Sequence, residues 1–323
     1  MPLYMMGKLR VYRIEFDDLR AVYKPGQDVT GRLIIELDTG INVREIRMKC
    51  VGWGEVHWTR KIQSGGPGQK QKTETIHFNG EENYFRNALA LYGKVADTGD
   101  WLPQGRHIFH FSFTLPSMLP SSYNDKFGSI VYEVSAILDL NFWSTDQIIR
   151  KEFKVVSDVD LNKYPGAEAS IEIQNFKYVC CWCCKSGPIT GILRTSKTGY
   201  VSGEPVVFDI TIQNRSSRVC GVSVVFLKET VYHAKGEKKV CVAEIKKSQY
   251  EDVMPGEIQT WDDEEFDVPP VPPPCLEGCK LITIDHYLKL VIDPAGPAFH
   301  LTVPVKLIIG SIPSYGTHGM FDI

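Results

Sequence analysis

Residues 22–35 read Val-Tyr-Lys-Pro-Gly-Gln-Asp-Val-Thr-Gly-Arg-Leu-Ile-Ile, and residues 199–212 read Gly-Tyr-Val-Ser-Gly-Glu-Pro-Val-Val-Phe-Asp-Ile-Thr-Ile. Tyr23-x-x-Gly26-x-x-Val29 thus recurs as Tyr200-x-x-Gly203-x-x-Val206, an offset of 200 − 23 = 177. At the same offset Leu33 matches Ile210 and Ile35 matches Ile212. Each Gly opens a turn where a β-carbon would be costly, and the flanking Tyr and Val anchor that turn in an apolar interior. Further landmarks follow in the same order. Phe113-Thr114-Leu115-Pro116 is echoed by Phe266-Asp267-Val268-Pro269, Tyr132 to Asp139 by Tyr287 to Asp293, and Phe153-Lys154-Val155-Val156 by Val305-Lys306-Leu307-Ile308. Shared order identifies a tandem duplication. It divides the chain into residues 1–162 and 163–323, with a boundary near Leu161 to Gly166, where Pro165-Gly166 suits a linker.

The dominant period is two. Phe109, Phe111, Phe113 and Leu115 alternate with polar residues, and so do Ile130, Tyr132, Val134, Ala136 and Leu138. Val206, Phe208, Ile210 and Ile212 repeat the pattern, as do Leu301, Val303, Val305, Leu307 and Ile309. Alternation gives each strand one buried and one wet face, the mark of antiparallel sheets. Ile46, Met48 and Cys50 are expected to face in, with Glu45, Arg47 and Lys49 facing out. Pro25-Gly26, Asn79-Gly80, Pro255-Gly256 and Asp293-Pro294 are read as turns. Only Tyr84 to Tyr92 leaves a helix open. The fold class is all-β, two similar sandwich domains in tandem.

Composition narrows the function classes. The chain has 323 residues, 43% hydrophobic and 23% charged, which is ordinary for a globular protein. A net charge of −3 speaks against nucleic-acid binding. Apolar runs such as Leu307-Ile308-Ile309 are strand-sized, and the opening MPLYMMGKLR turns basic where a signal peptide would be apolar. Nine Cys, four of them crowded into Cys180-Cys181-Trp182-Cys183-Cys184, do not make a disulfide framework, so a reducing cytosol is expected. There the sequon Asn214-Arg215-Ser216 is idle.

Candidate sites are few. Cys180, Cys181, Cys183 and Cys184 admit three readings. They are buried strand residues, acylation sites, or thiolate ligands for a metal. Adjacent strand residues point to opposite faces, which opposes the metal reading and favours the first. Lys235 to Lys239 and Lys246-Lys247 read as solvated hairpin tips, and Asp262-Asp263-Glu264-Glu265 as a solvated turn. His107 and His110 fall on opposite faces of one strand. No catalytic signature such as GxSxG or HExxH is present, so neither an enzyme nor a cofactor is expected.

In this setting the chain resembles the α-arrestins, the arrestin-domain-containing proteins related to thioredoxin-interacting protein. The likeness rests on Val22-Tyr23-x-x-Gly26-x-x-Val29-x-Gly31, Leu115-Pro116, Ser122-Tyr123 and Gly128-Ser129-Ile130-x-Tyr132-x-Val134-x-Ala136 in the first half. In the second it rests on Cys180-Cys181-Trp182-x-Cys184-x-Ser186-Gly187-Pro188-Ile189, Gly199-Tyr200-x-x-Gly203-Glu204, Ala234-Lys235-Gly236, Pro269-x-x-x-Pro273, Cys279-x-Leu281-Ile282-x-Ile284 and Leu307 to Pro313. It implies two tandem arrestin-type immunoglobulin-like β-sandwich domains. It also implies an adaptor that grips membrane receptors or transporters and recruits WW-domain ubiquitin ligases. Ubiquitin-dependent endocytosis and protein transport would follow, from a cytoplasmic pool recruited to the plasma membrane and endosomes. Basic residues on the first strand, here Lys8, Arg10 and Arg13, would meet acidic or phosphorylated cargo tails. The departures are specific. No PPxY is present, because Ile312-Pro313-Ser314-Tyr315 lacks the first Pro and Pro272-Pro273-Pro274 runs into Cys275-Leu276. Pro269 to Pro274 is read as a connecting loop. Ile258 stands where thioredoxin-binding relatives carry a Cys, so that role is not expected. A peripheral membrane contact and a stable place in a retromer-type trafficking coat are the other expectations.

Overall fold

The computed structural model describes residues 9–64, 72–93, 100–140, 146–181, 184–268, 275–297 and 299–315. The strands of the first half are β1 (Leu9–Phe16), β2 (Val22–Tyr23), β3 (Asp28–Leu37), β4 (Ile41–Ser64), β5 (Lys72–Tyr92), β6 (Asp100–Leu102), β7 (Gly105–Thr114), β8 (Tyr123–Asp125), β9 (Gly128–Leu140) and β10 (Gln147–Val155). Those of the second are β11 (Ile171–Cys181), β12 (Cys184–Thr195), β13 (Gly199–Val201), β14 (Pro205–Asn214), β15 (Cys220–Ala234), β16 (Glu237–Val253), β17 (Ile258–Asp267), β18 (Ile282–Pro294) and β19 (Leu301–Gly310). The all-β expectation holds, and Tyr84 to Tyr92 is strand.

Two compact units result. The first takes residues up to Ser157 together with Tyr232–Lys239 and Cys275–Ile282; the second takes Asp158–Val231, Val240–Pro274 and the chain from Thr283. In the first half, sheet β1-β3-β7 accompanies sheet β2-β10-β9-β4-β5, which also carries β6 on β4 and β8 on β9. In the second, sheet β11-β12-β14-β17 accompanies sheet β13-β19-β18-β15-β16.

The duplicated motif has a structural meaning. Gly26 (φ +80) and Gly203 (φ +85) both adopt the left-handed turn that an L side chain resists. The Gly26 N–H donates to the Pro116 carbonyl (2.9 Å) and the Leu115 N–H to that of Gln27 (2.9 Å). The Gly203 N–H donates to Val268 (3.1 Å) and the Val268 N–H to Glu204 (3.2 Å). The first two landmarks of the repeat are therefore two sides of one joint, formed twice. In both halves the Tyr before the Gly lies on a short strand in parallel pairing with a half's last strand, β2 on β10 and β13 on β19.

Inward rows build each interior. In the first unit Phe16, Tyr23, Tyr132 and Phe153 stack with centroids 5.6–6.2 Å apart, mostly edge to face. Ile46, Met48 and Cys50 are fully buried, as their alternation requires. Burial pushes the Cys50 thiol up to about 12, so it behaves as a small apolar residue. In the second unit Val206, Phe208, Ile210 and Ile212 meet Leu288, Leu290, Ile292, Val303 and Val305.

Several local expectations change. Asn79-Gly80 is no turn but lies inside β5; a β-carbon at Gly80 would crowd Leu281 (3.0 Å) and Val56 (3.1 Å), so close packing explains the glycine. Lys246-Lys247 lie within β16, whereas Lys235 and Gly236 do form the turn before it. Asp262 to Glu265 belong to β17, paired with β14, and the Asp209 carboxylate accepts the Asp263 N–H at the irregularity (3.0 Å). Leu161 is buried next to Gly310, in a single 3-10 turn (Leu161–Lys163). The sequon Asn214 is fully buried. Residues 269–274 lie outside the described residues.

Candidate functional site

The first-strand residues singled out by sequence sit at a sheet edge. β1 is the outer strand of sheet β1-β3-β7, and among the described residues no strand pairs with its other side. Ile14 and Phe16 point inward and are buried, which leaves Val11, Arg13 and Glu15 on the outer face. Lys8 lies outside the described residues.

Register assembles the rest of the site. Across β1, β3 and β7 the outer rows are Val11–Glu36–Arg106, Arg13–Ile34–Ile108 and Glu15–Arg32–His110. Arg10 pairs with Glu36 (3.1 Å), while Arg13 (2.9 Å) and Arg32 (2.8 Å) share Glu15. The hydrogen bond from Arg32 holds the Glu15 carboxyl below the usual carboxylate range, and the charges of Arg13 and Arg106 add to it. Four guanidinium groups therefore stand around two carboxylates. Ile34, between Arg13 and Ile108 in its row, is only 1% exposed. Sequence reasoning found Arg10 and Arg13 but missed Arg32 and Arg106. They lie on β3 and β7, and only the strand register brings them beside β1.

The open edge has its own chemistry. The Asp17 N–H donates to the Thr30 carbonyl, so the odd residues of β1 bond to β3 and the main-chain groups of Tyr12, Ile14 and Phe16 point outward. Two side-chain contacts come from β10. The Tyr12 O–H donates to the Gln147 carbonyl (3.3 Å), and Lys151 Nζ donates to the Ile14 carbonyl (3.1 Å) while lying 4.9 Å from the Phe16 ring centroid.

Arg44, on β4, is used differently. A register shift at Val43/Glu45 sets Arg44 beside Asp139, and its Nε (3.2 Å) and Nη2 (2.7 Å) both donate to Asp139 Oδ2. Asp139 is buried. Removing its partner strands a buried charge, which costs about 3–5 kcal/mol in fully buried pairs and less here because Arg44 is half-exposed. The expected result for Arg44→Ala is a loss of about 2–3 kcal/mol in urea unfolding, largely recovered in Arg44→Leu/Asp139→Leu. A double variant no more stable than the single would refute this account.

A cavity of ≈ 360 Å³ in the first unit is lined by Glu55, His57, Glu81, Asp125, Lys126 and Ser129, among others. Ser129 donates to Glu55 and His57 Nδ1 meets Asn79, so these two groups are engaged apart. Cys180 and Cys181 end β11, the first strand of the second half, and Cys184 opens β12, with Cys181 opposite Cys184. Trp182 and Cys183 lie outside the described residues. Among the described residues no group of three or more His, Cys, Asp or Glu could hold a metal ion, and no helix is long and apolar enough to cross a membrane.

Comparison with known families agrees with this architecture. The model of the arrestin (S-antigen) N-terminal domain matches residues 12–162, and that of the arrestin C-terminal domain matches residues 185–314. The chain belongs to the α-arrestin family. It is 31% identical over 324 aligned positions to arrestin domain-containing protein 17 of Caenorhabditis elegans, covering 95% of this chain and 72% of that protein. It is 30% identical to arrestin domain-containing protein 4 of Mus musculus, covering 96% and 74%, and 29% identical to arrestin domain-containing protein 1 of Rattus norvegicus, covering 95% and 65%. As an arrestin, the chain carries an arrestin-type adaptor role in general, and the family is one of adaptors and not of enzymes.

Proposed function

We propose that this arrestin binds the cytosolic part of a membrane receptor or transporter at the β1 edge and its arginine face, and links that cargo to ubiquitin-dependent endocytic trafficking. The observation that carries the reading is the gathering of Arg10, Arg13, Arg32 and Arg106 beside a strand edge that no strand covers among the described residues. An extended segment can add to such an edge through main-chain hydrogen bonds, with alternate side chains supplying selectivity. Its acidic or phosphorylated residues would meet the guanidinium groups, which take carboxylate and phosphate in a bidentate fork. WW-domain ubiquitin ligases belong to the same proposal. The 323 residues themselves hold no PPxY.

Each exposed ion pair is worth little alone, so a double charge reversal is the informative change. Arg13→Glu/Arg32→Glu is expected to weaken binding of an acidic cytosolic tail peptide roughly tenfold, and to flatten its salt dependence. Fluorescence anisotropy at low and high salt checks this, and unchanged affinity would remove the arginine face from the site. A pull-down from lysate, read by mass spectrometry, tests the wider role. Receptors or transporters support it; a fixed stoichiometric set of coat subunits without cargo would replace it with the coat reading.

A second surface supports peripheral membrane contact. Phe176 (58% exposed) and Tyr178 (55%) share one face of β11 near the cysteine hairpin, their ring centroids 6.0 Å apart. Exposed aromatic side chains of this kind favour the lipid interface. Acylation of Cys180, Cys181, Cys183 or Cys184 would strengthen the contact. Flotation with anionic vesicles should fall on Phe176→Ser/Tyr178→Ser, and unchanged flotation would discard the surface.

A further inference from the structure

Lys151 is a charged residue in an unexpected place. Along β10 it shares its face with the buried Phe153 and Val155, yet Lys151 itself is still exposed, at the solvent-open end of that inner row. Among the described residues no strand pairs with β10 on that side at Lys151, since β2 pairs with Lys154 and Val155. From there its Nζ takes the outward carbonyl of Ile14 and lies against the Phe16 ring. An inward-pointing lysine at an open edge is a known device against indiscriminate strand pairing.

We propose that Lys151 is the selectivity guard of the β1 edge, admitting extended segments that carry an acidic group and rejecting neutral ones. This rests on the reading of that edge as the binding site. A strand that pairs with β1 supplies its own N–H to the Ile14 carbonyl and so evicts the ammonium. The same strand covers the opening into which Lys151 points. A neutral strand leaves a desolvated ammonium without a partner, which is unfavourable. An acidic side chain on the incoming strand's inner face gives the ammonium a new acceptor. Arg13, Arg32 and Arg106 on the outer face, and the exposed Arg10 beside Glu36, add attraction but impose no such penalty, because they stay in water. Selectivity by penalising the wrong partner is thus placed in one residue.

The test uses the full chain and three synthetic peptides. One has three Val-Glu-Glu repeats, one has three Val-Gln-Gln repeats, and one is the acidic peptide N-methylated at alternate amides. Wild type is expected to prefer the acidic peptide over the neutral one by at least tenfold, a charged hydrogen bond being worth roughly that. In Lys151→Met the neutral peptide should bind more tightly than to wild type, and the ratio should fall several-fold. Lys151→Arg, which keeps the charge, should keep the preference. An unchanged ratio in Lys151→Met, with the N-methylated peptide still failing to bind, overturns the role of Lys151 alone. Equal binding of the N-methylated peptide overturns edge pairing itself, and binding of none of the three overturns both.

Discussion

Asn214→Ala should lower the stability of the second unit by about 3–5 kcal/mol, among the largest effects a single substitution can have. The side chain is fully buried and completely engaged. Its Nδ2 donates to the carbonyls of Arg218 (2.7 Å) and Val253 (3.0 Å), and its Oδ1 accepts from the N–H (3.0 Å) and hydroxyl (2.7 Å) of Ser216. Its main chain bonds Glu257 and Gly256. One amide thus ties the β14–β15 turn to the β16–β17 turn. Alanine takes the side-chain partner from the Val253 carbonyl and the Ser216 N–H, each costing about 1–3 kcal/mol where water cannot reach, and leaves the Arg218 carbonyl only the longer bond from the Ser216 hydroxyl (3.4 Å). Asn214→Asp should be no milder, since it removes both donors and turns a carboxylate toward carbonyls. Urea and thermal unfolding check this, with an expected fall of roughly 10 °C in Tm. A loss under about 1 kcal/mol would show that water replaces the amide.

Acid should weaken the second unit through His286, and His286→Leu should relieve much of that weakening. His286 is 3% exposed, stacks on Phe226 (5.8 Å), and leaves Nε2 without a partner. Burial lowers its pKa from 6.5 to about 4; Lys228 adds to the fall and Asp285 opposes it. The folded state therefore refuses a proton that the unfolded chain accepts. Stability is complete above about pH 6.5 and declines as pH falls towards 4, by about 3 kcal/mol in total from this group. Carboxylates such as Glu15, whose folded pKa is also lowered, lose stability in acid as well. The comparison of variant with wild type isolates the histidine. Urea unfolding at pH 7.5 and 4.5 should show the wild-type loss exceeding that of His286→Leu by roughly 2 kcal/mol. Equal losses would mean that His286 is already solvated in the folded chain.

How much was legible beforehand depends on the range of the interaction. Tyr23-x-x-Gly26 and Tyr200-x-x-Gly203 were readable because a left-handed turn is a local demand that glycine meets. Ile46, Met48 and Cys50 were readable because burial on one face of a strand has period two. Asn79-Gly80 misled because glycine also serves close packing, and the neighbour that requires it, Leu281, is about two hundred positions away along the chain. Lys246-Lys247 and Asp262 to Glu265 misled because charge marks a wet face equally well on a strand or a turn.

The candidate site divides along the same line. Arg10 and Arg13 were visible as basic residues on a first strand, but their ion partners were not. Arg32, Arg106 and Lys151 carry no local signal at all. Strand pairing and packing bring β3, β7 and β10 to β1, and those contacts span up to 137 positions. The sequence by itself therefore determined the all-β class, the duplication and the family, because turn chemistry, alternation and ordered repeats are written in neighbouring residues. Only the tertiary structure decided which charges share a face and which strand edge stays open. Those depend on register between distant strands, and register is a property of the assembled sheet.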